Sequence, residues 1–462
     1  MIVECDQCQA KYHYDEARFA GKPSKKLRCS KCRAIFEIFN THAYEAQPAV
    51  RPPVAAGETF TKRSADMREL KLGSLILLAW MASRPALGQF PWAGARAMGM
   101  GGAQVAAVDD ATAAWSNPAA LGRLRGWNIE LLAGGVGSNR NDLVGSVDSL
   151  TSLPFDEILS GDRLDLLPEL VGDIQNLTLE DTSVLFSGVA GVVASYNGFA
   201  LSVGDLPYAG IYPVIDLVHI VPGGGPDRDL ALNGTGLYLA GLSAREVRLA
   251  YGHEFLNGVL SVGGAGRIVF GRTYFARCGV FDSCENKDIT EIIRQAFEEN
   301  AVDETKFAFD AGALANFGIV KLGVTGIALN QPHFAVIALP GSPGEVPLPR
   351  QVRGGIVVDP LPFLTLAADG DFLKSDTLAP GAKSQQLSLG IEGRIPLFAF
   401  RAGAARDFAA TNPHWAISAG VGFHAVVISI DASVLLSPQG GIDPTDLDRE
   451  ELGAALAVKL HF

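Results

Sequence analysis

The sequence predicts a mainly β protein: an antiparallel transmembrane β-barrel of about fourteen strands, preceded by a small zinc ribbon. Three observations carry this prediction. Charged residues make up only 19% of the 462 residues, yet no apolar run reaches the roughly 18 residues that a spanning helix needs. The hydrophobicity is therefore spread in alternation, as barrel strands require. An export-signal pattern lies inside the chain, and two Cys-x2-Cys pairs lie in front of it.

The composition also limits the possible function. The formal net charge is −12 at pH 7, which argues against nucleic-acid binding by the barrel. The sequence contains no GxSxG, HExxH or phosphate-loop motif, so no enzymatic activity is predicted. Barrel enzymes exist, and that alternative stays open.

Residues 1–40 are predicted to form the zinc ribbon. Cys5 and Cys8 form one pair, and Cys29 and Cys32 form the other, with twenty residues between the pairs. Four thiolates satisfy tetrahedral zinc, and the metal can organise a unit too small to fold by burial. The stretch resembles the short bacterial zinc-ribbon family. A redox function is the alternative, and the basic end of the ribbon could contact nucleic acid or protein.

The next two segments read as a linker and a secretion signal. Residues 41–66 are rich in Pro and Ala and lack an apolar period, as a disordered linker would. Residues 67–88 have a charged start, an apolar stretch from Leu72 to Ala82 and a helix-breaking proline. A buried soluble helix is the alternative. The predicted cleavage site has Ala86 and Gly88 before the cut and Gln89 after it.

Behind the signal lie GARAMGMGGA and VDDATAAWSNPAAL, within residues 94–121. The glycines permit tight turns, and the Asp pair is predicted to cap a short helix over Ala111–Trp115. Since the residue before a proline avoids helical geometry, that helix should end before the Asn-Pro step. The glycines lack the GxGxxG spacing of a dinucleotide site.

Both stretches resemble the N-terminal plug segment of the FadL-type outer-membrane transporter superfamily. NQPHF at 330–334, PRQVRGGI and GIEGRIPLFAFRAG are most similar to the conjugal-transfer TraF-like barrel family. The likeness covers about residues 89–462 and implies a plug over 89–126 and a barrel over 127–462. The plug-motif residues are Gly99, Gly101, Gly102, Asp109, Asp110, Asn117 and Pro118.

The barrel strands are predicted from alternating apolar and polar residues between turn residues. Their number is even, as bacterial barrels require. Tight turns alternate with long loops along the chain, which is the asymmetry of an outer-membrane barrel. The predicted strands are 127–135, 184–196, 198–206, 245–256, 258–273, 306–317, 318–330, 350–359, 361–373, 385–393, 395–406, 414–423, 425–436 and 452–462.

The chain end and two long loops carry further signals. The terminal Phe462 on an alternating strand resembles the assembly signal that barrel assembly machinery recognises. Cys278 and Cys284 should form a disulfide outside the cytosol, with a metal pair as the alternative. Residues 155–175 and 286–300 have helical periodicity. Their apolar faces should pack together and cap the barrel, or form a groove for a hydrophobic ligand.

Several functions fit these predictions. The FadL resemblance implies passive transport of hydrophobic small molecules across the outer membrane. The TraF resemblance implies a structural or assembly component of a surface or conjugation machine. The ribbon would be a separate, cytoplasmic zinc-binding module, because zinc thiolates and an outer-membrane barrel need different compartments. Either Met67 is the true start, which we favour, or cleavage after Gly88 separates the two parts.

Overall fold

The computed structural model describes residues 2–4, 11–13, 24–28, 31–32, 35–39, 94–154, 157, 162–215, 235–279, 294–437 and 451–462. The chain divides into two compact units, residues 1–66 and 67–462. The predicted linker, export signal and cleavage site, including Ala86, Gly88 and Gln89, lie outside the described residues.

The first unit contains two short antiparallel hairpins. Strand β1 (Ile2–Glu4) pairs with β2 (Lys11–His13), and β3 (Ser24–Arg28) pairs with β4 (Ile35–Phe39). In the sequence, one Cys-x2-Cys pair falls between the strands of each hairpin. A zinc ribbon requires this arrangement, because each hairpin turn supplies two of the four ligands.

The second unit is a closed antiparallel barrel of fourteen strands, as predicted. Each strand pairs with its predecessor and its successor in the chain order of barrel strands. Two small hairpins, at residues 333–347 and 375–384, lie within long loops. The fourteen barrel strands are β5 Trp127–Arg140, β6 Ser183–Tyr196, β7 Phe199–Val214, β8 Gly236–Phe255, β9 Leu260–Gly279, β10 Val302–Asn316, β11 Val320–Ile327, β14 Gln351–Leu361, β15 Leu364–Asp371, β18 Gln386–Ile395, β19 Phe398–Asp407, β20 Trp415–His424, β21 Ile428–Leu436 and β22 Glu451–His461. The hairpin strands are β12 His333–Ala335, β13 Glu345–Pro347, β16 Ser375–Asp376 and β17 Lys383–Ser384.

The last strand closes the barrel on the first. Strand β22 pairs with β5 along its whole length. The backbone N–H of Trp127 donates to the carbonyl of Phe462 at 2.8 Å, and the N–H of Phe462 donates back at 3.0 Å. Closure leaves no sheet edge, so every strand has hydrogen-bonding partners on both sides.

The connections sort by length, as predicted. Six of them are short, and the β6–β7 turn uses Asn197 and Gly198, both with positive φ. Asn-Gly favours this two-residue turn because both residues tolerate the left-handed region. These turns and the barrel's first and last residues lie at one end, which we call the short-turn end. The other end is the long-loop end.

The barrel wall is taller on one side. Strands β8 and β9 each have 20 residues, whereas β11 and β15 have 8. The predicted strands for β7, β8 and β9 were too short at the long-loop end. Their predicted ranges were 198–206, 245–256 and 258–273. The sequence GLYLAGLSA at 236–244 is apolar on both faces, because loops cover its inner face. Such a strand has no alternation to detect.

The plug contains three short helices. These are α1 (Ala95–Gly99), α2 (Ala113–Ser116) and a 3-10 helix (Pro118–Arg123). Helix α2 begins two residues later than predicted and ends directly before Asn117, whose backbone is extended.

The described parts of the long loops contain further helices. They are α3 (Leu143–Ser152), a 3-10 helix (Leu164–Leu166), α4 (Leu167–Leu177) and a π-helix (Gln295–Glu299). The predicted packing of the two apolar loop faces stays a prediction, because much of 155–175 and 286–300 lies outside the described residues. Within the described part, Asp173 of α4 accepts a hydrogen bond from Ser149 of α3, while Val171 and Ile174 are exposed. No helix among the described residues has the length and apolarity to cross a membrane.

The outward face of the strands is apolar. In β8, exposed side chains such as Val247 and Leu249 alternate with buried, lumen-facing Glu246 and Arg248. Exposed apolar residues recur at alternate positions on the other strands. The lipid-facing belt is thus built by the period of two that the sequence displays.

Placing a charge in this belt should destabilise the barrel according to depth. We expect Leu249→Arg to lower the free energy of unfolding by about 2–4 kcal/mol, because Leu249 lies within the belt. The control Phe255→Arg, at the end of β8, should cost about 0–1 kcal/mol. Urea unfolding of the barrel in lipid vesicles measures both. Equal costs would contradict the assignment of the belt.

Candidate functional site: the plugged lumen

Residues 94–124 fill the lumen between the short-turn end and its middle. Nearly all of them are buried, and α1 packs against β19, β20 and β21. The turn at Gly101 lies so close to the wall that a Cβ there would be 2.6 Å from the Ala404 carbonyl oxygen. Gly101 and Gly102 both have positive φ. These glycines therefore allow the plug backbone to contact the strands directly.

The Asp pair does not cap α2 as predicted, because Thr112 is the N-cap residue and no side chain caps the helix. Asp110 accepts a hydrogen bond from the backbone N–H of Thr112 at 3.1 Å. Its other carboxylate oxygen lies 2.6 Å from Nζ of Lys459 on β22. Asp109 contacts Arg96 at 2.5 Å and Arg394 of β18 at 2.9 Å. The pair thus ties the plug to two strands of the wall, β18 and β22.

These contacts belong to a larger ion network near the short-turn end. Arg96 of the plug reaches Glu392 at 2.9 Å. Glu392 accepts from Arg401 at 2.5 Å, and Arg401 donates to Asp431 at 2.6 Å. Lys459 lies 3.1 Å from Asp431. The short-turn network consists of Arg96, Asp109, Asp110, Glu130, Glu392, Arg394, Arg401, Asp431 and Lys459.

A second cluster, the wall quartet, joins β8, β9 and β10. Arg248 lies 2.8 Å from Glu246 and 3.1 Å from Asp310. Arg267 lies 2.7 Å from Glu246 and 3.2 Å from Asp310. None of the four side chains is more than 2% exposed. Two positive and two negative groups alternate, so each buried charge is compensated.

The plug uses this quartet as an anchor. The indole N–H of Trp115 donates to Glu246 at 3.1 Å. Arg248 donates to the carbonyl of Ala114 at 2.7 Å. Displacing α2 would break both of these buried hydrogen bonds, which is costly.

The Asn-Pro step packs against glycines of the wall. The side-chain amide of Asn117 donates to the carbonyl of Val105 at 2.8 Å. A Cβ on Gly263 of β9 would overlap the backbone of Pro118, and one on Gly312 of β10 would overlap the Asn117 side chain. Both motif residues therefore lie inside the barrel, as the resemblance implies.

Lumen-facing Asp369 of β15 is a third anchor. Its carboxylate accepts from the backbone N–H groups of Gln104 at 2.6 Å and Val105 at 2.8 Å. The plug is thus held on several sides of the wall, by β8–β10, β15 and β18–β22.

Above the plug, toward the long-loop end, lies an upper apolar cluster. It includes Leu206, Tyr212, Tyr238, Phe275 and Phe334. It packs the inner face of the tall wall against two caps. The first cap is the hairpin of residues 333–347, and the second is residues 375–384.

Few polar contacts fasten the first cap to the wall. Thr273 of β9 donates to the carbonyl of Ala335 at 2.7 Å. The N–H of Ala335 donates to Glu304 of β10 at 2.8 Å. Phe334 fills the space over Gly271, where a Cβ would overlap its ring. The cap is therefore held mainly by apolar packing.

The wall has one interruption beside the upper cluster. Gly188 and Val189 of β6 are not paired with Leu206 and Pro207 of β7, although pairing continues on both sides. Strand β7 remains paired with β8 along the same stretch. Proline has no backbone N–H to donate, and its ring packs closely on the neighbouring strand, since a Cβ on Gly188 would lie 3.2 Å from Cγ of Pro207. We call this position the wall gap.

Two small pockets lie among the described residues, the first lined mainly by polar side chains and the second by both polar and apolar ones. One lies at the long-loop end beside Arg140, Asp181 and Asp407. Another lies against the plug beside Arg96 and Asp110. No group of three His, Cys, Asp or Glu side chains among the described residues is arranged to hold a metal ion.

Asp110 and Asp181 lie outside the strands and have lowered pKa values. Burial alone would raise the pKa of Asp110, but the charges of Lys459 and Arg96 outweigh it. Burial would also raise the pKa of Asp181, and hydrogen bonds from Thr411 and Asn141 lower it instead. Both contacts therefore stabilise the fold above the ordinary carboxyl pKa and are lost as the pH falls through the lowered value.

The predicted cysteine sites are only partly described. Cys278, near the end of β9, is disulfide-bonded, while Cys284 lies outside the described residues, so their pairing stays a prediction. Cys32 is exposed, and the other three ribbon cysteines, Cys5, Cys8 and Cys29, lie outside the described residues.

The lumen charges were not predicted from the sequence. Glu246 and Arg248 are two residues apart on β8 and alternate with the apolar residues Val247 and Leu249. Glu392 and Arg394 have the same spacing on β18. Charges at alternate strand positions indicate the lumen face, and that signal was present. The pattern does not show which lumen charges pair with each other.

Breaking the wall quartet should be strongly destabilising. We expect Arg248→Met to lower the free energy of unfolding by about 3–5 kcal/mol, because Glu246 and Asp310 would share one remaining cation. The double variant Arg248→Met/Asp310→Asn should recover part of the loss, since it restores charge balance. Urea unfolding in lipid vesicles measures both. Additive losses would show that the charges do not act as a unit.

Two family models match the chain. A zinc-ribbon domain model matches residues 1–37, and the model described as "F plasmid transfer operon, TraF, protein" matches residues 114–371. No curated protein matches the chain.

Several solved structures are similar to this chain. The CymD monoaromatic hydrocarbon channel is 14% identical, with 82% of this chain and 99% of that chain covered and a TM-score of 0.47. The Ralstonia pickettii toluene transporter TbuX is 14% identical, with 80% and 98% covered and a TM-score of 0.46. The Pseudomonas putida toluene transporter TodX is 11% identical, with 82% and 99% covered and a TM-score of 0.45.

The family expectations drawn from the sequence are confirmed for the ribbon and for the barrel. The TraF model spans more than half of the chain, from the plug helix α2 to the end of β15. The chain therefore belongs to the TraF family.

Proposed function

We propose that the barrel lies in the outer membrane and passively transports hydrophobic small molecules. The observation that carries this proposal is the position of the upper apolar cluster. It extends from the two caps at the long-loop end to Leu206 at the wall gap. An apolar molecule that displaced the first cap would contact apolar side chains until it reached the barrel wall.

The anchoring of the plug favours a sideways route. The short-turn network and the wall quartet hold the plug through buried ion pairs. Removing one partner from such a pair is strongly unfavourable, so the plug should stay in place. The wall gap offers the exit that breaks the fewest ladder hydrogen bonds between β6 and β7, because two pairs are already missing there.

Closing the gap should slow transport. We expect Pro207→Thr to reduce uptake several-fold, because threonine supplies the missing N–H and lets β6 and β7 pair. The matched control is Pro213→Thr, on the same face of β7 beyond the last β6 pairing. Uptake of N-phenyl-1-naphthylamine by cells measures the rate, since its fluorescence rises in apolar surroundings.

The outcomes separate the route from the function. Unchanged uptake with Pro207→Thr would overturn the sideways exit and leave transport standing. Uptake no faster than in cells without the protein would overturn transport itself.

A structural or assembly role in a surface or conjugation machine is the second candidate. The filled lumen favours it, since residues 94–124 are nearly all buried inside the barrel. Membership of a family described by a plasmid transfer operon supports it as well. If the protein has this role, cells that lack it should show a defect in assembly or transfer. Their uptake of the probe should be normal.

We propose that the ribbon is a separate cytoplasmic module that binds zinc through Cys5, Cys8, Cys29 and Cys32. The two hairpins that frame these cysteine pairs support a ribbon. When bound, zinc would supply the folding energy that so small a unit lacks, and the partner would be protein or nucleic acid. The barrel would depend instead on lipid and on barrel assembly machinery that recognises Phe462.

The mass of the mature barrel tests this separation. We expect the species in purified outer membrane to have the intact mass of residues Gln89–Phe462, because export and cleavage leave no ribbon attached. Mass spectrometry of the membrane-extracted protein measures it. A zinc-bound species with the mass of residues 1–462 would contradict the assignment of two compartments.

A further inference from the structure

The hydroxyl of Tyr212 is an unexplained group in the upper apolar cluster. Tyr212 is only 6% exposed, and its hydroxyl oxygen is buried without a hydrogen-bond partner. A buried hydroxyl without a partner destabilises the fold. Phenylalanine would pack in the same place without that penalty. The hydroxyl therefore needs an explanation other than packing.

Tyr212 lies where the two caps meet the tall wall. The second cap contacts β7 at Gly210, where a Cβ would lie 2.8 Å from the backbone nitrogen of Ala379. The first cap contacts the neighbouring strand, and a Cβ on Gly341 would overlap the ring of Tyr238. Tyr212 and Tyr238 are directly paired across β7 and β8. Separation of the caps would expose both rings.

The surroundings of the hydroxyl are aromatic. The rings of Tyr212 and Tyr238 are stacked with centroids 5.9 Å apart. The rings of Tyr238 and Phe275 lie 6.1 Å apart in a tilted arrangement. Flat faces and edges of this kind bind another aromatic ring favourably. The guanidinium of Arg277 lies over the Tyr238 ring, 5.8 Å from its centroid, so a cationic ligand would be disfavoured by repulsion as well as by lost hydration.

We propose that the seam between the caps binds neutral aromatic molecules that carry one hydrogen-bonding group, the phenol class, with Tyr212 as the residue that selects them. The ligand's ring would pack on Tyr212, Tyr238 and Phe275, and its hydroxyl would supply the missing partner of Tyr212. This inference rests on the proposed transport function and names its substrate class.

The experiment compares two ligands of the same shape. Purified barrel in detergent micelles is titrated with 4-fluorophenol and 4-fluorotoluene, and binding is followed by 19F chemical shift against protein-free micelles. We expect Tyr212→Phe to weaken 4-fluorophenol about five- to tenfold, the loss of one hydrogen bond, and to leave 4-fluorotoluene unchanged. The control Tyr274→Phe, half-exposed on β9, should change neither affinity.

A melting measurement checks for a structural role. Because the hydroxyl has no hydrogen-bond partner among the described residues, Tyr212→Phe should not lower the melting temperature. A lower melting temperature, equal weakening of both ligands, or no binding of 4-fluorophenol to the wild-type barrel would overturn the proposal.

Uptake by cells distinguishes this inference from the transport function. If 4-fluorophenol binds selectively through Tyr212 but does not slow probe uptake, the site is upheld and the result counts against transport. If both ligands slow probe uptake equally, in the wild type and in Tyr212→Phe, transport is upheld and the selective site is overturned.

Discussion

The structure depends on satisfying every backbone N–H and carbonyl group within a layer that contains no water. Pairing of β22 with β5 meets this constraint by removing both edges of the sheet. The last residue, Phe462, takes part through its hydrogen bonds to Trp127. Because the sheet closes, its side chains divide strictly into a lipid face and a lumen face.

Closure creates a lumen that must be filled. A short segment of small residues, α1 to the 3-10 helix, occupies it, and glycines of the wall allow backbones to approach closely. Polar groups brought inside must also be paired. The wall quartet and the short-turn network do this with alternating charges, and both of them include contacts with the plug. The ion pairs therefore fix the plug as well as the wall.

The unequal strand lengths produce the upper half of the site. The inner face of the tall wall, from β7 to β9, extends above its shorter neighbours and is covered by loops from the opposite side. This arrangement places an apolar cluster beside the wall gap. Cap, cluster and gap together form the only element of the described structure that suits an apolar molecule, while the filled lumen also suits a structural role.

The sequence by itself determined the barrel, its strand number, the sorting of short turns and long loops, and the plug. Each of these follows from local signals: a period of two, turn residues, and a glycine-rich segment ending in Asn117-Pro118. Only the tertiary structure decided the upper parts of β7, β8 and β9, the two caps and the partners of the lumen charges. Arg96 and Glu392 are 296 residues apart, and no local pattern specifies which charge meets which across the lumen. The position of the wall gap was also beyond the sequence, because a missing pair is a property of two strands in register.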